Sequence, residues 1–94
     1  LVEPSSSGAI VYASGCGHVE VVRTFLEDGR ADPAWDESSA LRFAAENGHA
    51  EVVSLLLRDK RADPAAYSNL ALSNTARSGH TEVVRLLLRD PRVD

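Results

Sequence analysis

Apolar residues recur at helical spacing in two kinds of short segment that alternate along the chain. In residues 39–47, Leu41, Ala44 and Ala45 follow the i, i+3, i+4 rule that puts them on one helical face. Ser38, just before them, is a side chain suited to accept a bond from an orphan N–H of the first turn. Gly48 closes the segment, where a left-handed cap is favoured. In residues 50–59, Val52, Val53, Leu56 and Leu57 line one broad face. Glu51 falls in the first turn and Arg58 near the last, the signs the helix dipole prefers. Asp63-Pro64 is predicted to stop this second helix and set an extended connector.

The arrangement recurs. Gly17-His18, Gly48-His49 and Gly79-His80 are 31 residues apart, and each is followed by one residue and then Glu-Val-Val. Units 1–31, 32–62 and 63–93 align without a gap, the first being the most divergent. Ser7, Ser38 and Asn69 share the predicted N-cap position. Small residues such as Ala9, Ala13, Ala40, Ala44 and Ala71 allow close helix approach. Helices of about ten residues are marginal alone. They must be held by their neighbours, so the predicted fold is an all-α solenoid of stacked helix pairs.

These residues carry a resemblance. Gly-His-x-Glu-Val-Val-x-x-Leu-Leu, preceded by Ala-Leu-x-x-Ala-Ala and followed by an Asp-containing connector, resembles the ankyrin repeat. The resemblance covers the chain as three consecutive units and is strongest over Ala40–Pro64 and Gly79–Asp94. It implies an ankyrin-type α-solenoid and a protein–protein interaction module or scaffold, without catalysis or cofactor, that binds a protein partner on its concave face and connectors. Two departures bear on this. The usual unit has about 33 residues, so the β-hairpin finger is expected to give way to a tighter loop. The usual Thr-Pro-Leu-His opening is replaced by Ser39-Ala40-Leu41-Arg42 and Leu70-Ala71-Leu72-Ser73.

Binding information should lie where the units differ. The differing columns include Pro4/Trp35/Ala66, Ser5/Asp36/Tyr67, Val11/Arg42/Ser73 and Gly15/Glu46/Arg77. By the resemblance they fall on the concave surface. Aromatics and arginine are typical hot spots, so the candidate partner-binding residues are Trp35, Asp36, Arg42, Glu46, Tyr67 and Arg77. The alternative reading of Trp35 and Tyr67 is that they only cover the short loop.

Other chemistry adds little. The net charge of −4 speaks against nucleic-acid and anionic-membrane partners, which call for a basic face. No apolar run approaches the ~20 residues of a membrane span. The single cysteine, Cys16, has no intrachain disulfide partner, which is compatible with a cytoplasmic setting. No phosphate-binding glycine loop or Gly-x-Ser-x-Gly elbow is present, so no enzyme is expected. The histidine column is too widely spaced to share a metal and is expected to bond neighbouring backbone. Arg30, Arg61 and Arg92 precede Asp32, Asp63 and Asp94 by two residues, which predicts a ladder of ion pairs bracing the connectors.

A second class of function remains open. Unit three keeps Val83, Val84, Leu86, Leu87 and Leu88, and unit one carries Ile10, Val11, Tyr12, Val19 and Phe25. Neither unit has the polar outer face that ends a solenoid. The chain reads as a section of a longer array, or as a self-assembling protein whose copies stack end to end as homo-oligomers or filaments. Unit one is net acidic and unit three net basic, which favours head-to-tail contact.

Overall fold

A computed structural model describes residues 4–93, the side chains of Pro4, Ser5, Tyr67 and Ser68 excepted. Six helices make up the described residues: α1 (Pro4–Cys16), α2 (Val19–Asp28), α3 (Trp35–Glu46), α4 (Ala50–Asp59), α5 (Ala66–Ser78) and α6 (Thr81–Arg89). Each unit supplies one antiparallel pair. Helices α1, α3 and α5 pack side by side as one layer, and α2, α4 and α6 form the second. No described helix is long and apolar enough to cross a membrane.

Small residues bring the first layer together: Ala13, Ala40, Ala44, Ala45 and Ala71 are all buried. Between the layers, Ile10, Leu41, Val22, Val52, Val53, Leu56, Val83 and Leu87 form the core. The helix at 50–59 matches the sequence reading to the residue. The first helix of unit two starts earlier than the periodicity predicts. It contains a left-handed turn, with φ of 56° at Asp36, 56° at Glu37 and 58° at Ser38, before regular helix resumes. No strand occurs among the described residues, so the described connectors carry no β-hairpin.

Three local expectations are corrected. Ser7 and Ser38 do not cap their own helices. Ser7 Oγ accepts the N–H of Asp32 at 3.1 Å, and Ser38 Oγ accepts that of Asp63 at 2.8 Å. Each serine therefore ties its helix to the next unit's connector, while the third member, Asn69, leaves Oδ1 buried without a partner.

The arginine ladder runs backwards. Arg30, Arg61 and Arg92 pair with Asp28, Asp59 and Asp90 at 2.7, 2.6 and 2.8 Å. Those arginines hold the three carboxyls below the usual carboxylate range. Asp32 and Asp63 instead accept the N–H groups of Ala34 and Ala65, both at 2.9 Å, and Asp94 lies outside the described residues. A carboxylate two residues before a backbone N–H closes an Asx turn, which leaves Asp32 and Asp63 engaged.

The connector is accordingly a turn rather than an extended segment, with Trp35 N–H donating to Asp32 O at 3.0 Å. Left-handed residues, Gly29 and Lys60, end α2 and α4 ahead of the prolines. Pro33 and Pro64 are buried in the turns that follow.

Candidate functional site

The histidine column fixes the unit-to-unit register. His49 Nε2 lies 3.0 Å from Gly15 O, and Asn47 Nδ2 donates to the same carbonyl at 2.9 Å. The His49 ring rests on Gly17 and the His80 ring on Gly48, each so closely that a Cβ on the glycine would fall 2.6 Å from Nδ1. Backbone contact at the start of a second helix is the role read from the sequence.

On the solvent side of the first layer the columns divide into two halves. The first half is aromatic. Tyr12 on α1 is 78% exposed and Phe43, at the same position on α3, is 41% exposed. Gly15 leaves room beside Phe43, whose Cβ is 3.5 Å from where a Cβ of Gly15 would stand. The Arg42 guanidinium lies over the Phe43 ring at 5.8 Å from its centroid. The second half is polar. Asn74 takes the place of the third aromatic, donating from Nδ2 to Glu46 Oε2 at 3.2 Å and accepting from Arg77 at 3.5 Å.

The sequence-selected residues are distributed unevenly over this face. Glu46 and Arg77 come together through Asn74. Arg42 is half-buried and folds back on the left-handed turn, donating to Glu37 O at 3.0 Å, Asp36 O at 3.1 Å and Ser39 Oγ at 2.8 Å. Asp36 is exposed, with Oδ2 accepting the Ser39 hydroxyl at 2.9 Å. Trp35 is half-buried at the head of α3. The Tyr67 side chain lies outside the described residues. Tyr12 and Phe43 escaped the sequence reading because both pass for core aromatics. Their column, Tyr12/Phe43/Asn74, differs between units and lies three and four residues before the variable columns at 46 and 47, hence on the same helical face.

Open depressions between second-layer helices have mixed linings. One is lined by Arg23, Leu26 and Glu27 of α2 against Leu55, Arg58 and Asp59 of α4. Cys16 is exposed, and no group of three metal-ligating side chains occurs among the described residues.

The family described as ankyrin repeats (3 copies) matches residues 3–68. That span takes in the first two units and the turn that opens the third. No curated protein matches the chain.

Proposed function

The chain belongs to the ankyrin repeat family, a family of protein–protein interaction modules, and we propose that it binds its partner on the exposed side of α1, α3 and α5. The aromatic pair carries this reading. Two large rings at one repeat position, 78% and 41% exposed, are what a binding surface presents and what a solvated face does without. Tyr12 and Phe43 act as the anchors. Arg42, Glu46 and Arg77 supply the polar surround, Trp35 and Asp36 extend it at the head of α3, and position 67 near the start of α5 is counted with them. Stacked helices hold these side chains in place before the partner arrives, which limits the ordering cost of binding.

The test compares Tyr12→Ala/Phe43→Ala with the unaltered chain as baits for a displayed library of natural protein segments, followed by calorimetry on each segment recovered. The double variant is expected to weaken binding by about thirtyfold or more, the scale of an interface hot spot. Trp35→Ala/Tyr67→Ala is expected to weaken it less. Equal binding by the aromatic double variant sinks the assignment.

A further inference from the structure

Each seam between units leaves a groove between its second-layer helices, and the two grooves differ in charge. Between α2 and α4 the charges balance: Arg23 and Arg58 stand with Glu27 and Asp59 around Leu26 and Leu55. Between α4 and α6 the balance is lost. Ser54 takes the place of Arg23, and Arg58 takes that of Glu27. Arg58, Lys60 and Arg89 line this second groove together with the apolar Leu57, Leu86 and Pro91. All three cations are exposed, and none of them makes an ion pair among the described residues. The one carboxylate in the lining, Asp90, is buried and already held by Arg92 at 2.8 Å. The Arg92 hydrogen bond keeps the Asp90 carboxyl below the usual carboxylate range, and Lys60 adds a smaller pull. The chain as a whole carries −4, so this concentration of positive charge runs against its overall sign. Helices of this chain bound the groove on both sides, and Arg58, with a helix pair on either side of its own, is still exposed.

We propose that the α4–α6 groove docks an acidic peptide segment of a partner protein. One apolar side chain of the segment rests on Leu57, Leu86 and Pro91, and its carboxylates meet Arg58, Lys60 and Arg89. Charge complementarity selects this occupant. Size selects its form. The groove holds about 230 Å³ and is open to solvent, short of the roughly 300–1,000 Å³ in which a small molecule is enclosed. That space takes one side chain from a segment lying across the surface. A nucleic acid fits less well, because three cations neutralise few phosphates and no aromatic lines the groove to stack a base. The groove lies on the second layer, so its occupation leaves Tyr12 and Phe43 open to the partner of the first layer. Exposed charges contribute little one by one. Binding is therefore weak and rests on all three cations acting with the apolar contact.

An NMR titration of the isotopically labelled 94-residue chain with the peptide Glu-Asp-Glu-Leu-Glu-Asp-Glu tests this. Amide shifts are expected to concentrate in residues 54–60 and 86–91, to spare residues 23–27, and to weaken with added salt. Arg58→Glu/Arg89→Glu is expected to weaken binding by about tenfold or more. Replacing the peptide's leucine with glycine is expected to weaken it by about threefold or more. Tyr12→Ala/Phe43→Ala is expected to leave it unchanged, which separates this groove from the first-layer surface. Circular dichroism establishes that the variants are folded. Should the double arginine variant unfold, Arg58→Gln and Arg89→Gln are read singly in the same titration. Absence of shifts at 54–60 and 86–91, equal binding by the arginine variants, or a glycine peptide as tight as the leucine peptide would each overturn the proposal. So would inorganic phosphate or a DNA oligonucleotide that shifts the same amides at lower concentration than the peptide, since the groove would then be a phosphate site.

Discussion

Gly48 has a φ of +79°, and a Cβ there would stand 2.6 Å from His80 Nδ1. Gly79 has nearly the same φ, +77°, and open space around it. The pair therefore separates backbone strain from crowding. We expect Gly79→Ala to cost about 1–2 kcal/mol, the price of a left-handed non-glycine residue. Gly48→Ala should cost about 1–3 kcal/mol more, because the ring and its register must also shift. Urea unfolding of the two variants measures the difference; equal losses would mean that the histidine column yields freely. The glycines and histidines were legible as a repeating pair. That the ring of one unit sits on the glycine of the unit before was not, because spacing along the chain does not say which side chains stack across units. Ser38 shows the same limit. Its polarity was read correctly, but its bond runs 25 residues forward to Asp63.

Helix α4 and the turn at the head of α3 mark the extremes of legibility. The first was fixed by four apolar residues at helical spacing and a terminal charge on each side. In the second, Asp36, Glu37 and Ser38 hold φ between 56° and 58° in succession. Nothing in an Asp-Glu-Ser sequence asks for that conformation. It is held from outside: Arg42, one turn further on, donates to Glu37 O and Asp36 O, and Ser39 Oγ donates to Asp36 O at 2.6 Å. Arg42 was chosen as a binding residue for its variability, and the structure gives it a bracing task as well. We expect Arg42→Ala to destabilise the fold by about 1.5–3 kcal/mol, as for loss of hydrogen bonds from a charged group. Arg42→Lys should recover little of this, since one ammonium cannot span both carbonyls as a planar fork does. Thermal and urea unfolding of both variants check it. A neutral Arg42→Ala would mean that Ser39 and the Ser38 N–H bond to Ala34 O hold the turn unaided.

At the scale of the molecule, what matters is that each helix pair packs on its neighbours in sequence, with unit two between the others. Leu56 and Leu87 are the same residue at the same repeat position, and both are 0% exposed. In a compact globule their truncation would be expected to act alike. Here Leu56 lies in the unit that touches both others, and Leu87 in a unit that touches one. Each Leu→Ala should cost about 2–5 kcal/mol locally, a large part of the roughly 5–15 kcal/mol that holds a domain of this kind. The spread of the damage should differ. A stacked array behaves as a chain of nearest-neighbour couplings, so Leu56→Ala weakens both seams and hydrogen exchange should quicken in all six helices together. Leu87→Ala weakens one seam, so exchange should quicken most in α5 and α6 and least in α1 and α2. If Leu87→Ala accelerates α1 as much as α6, the three units fold as one indivisible body.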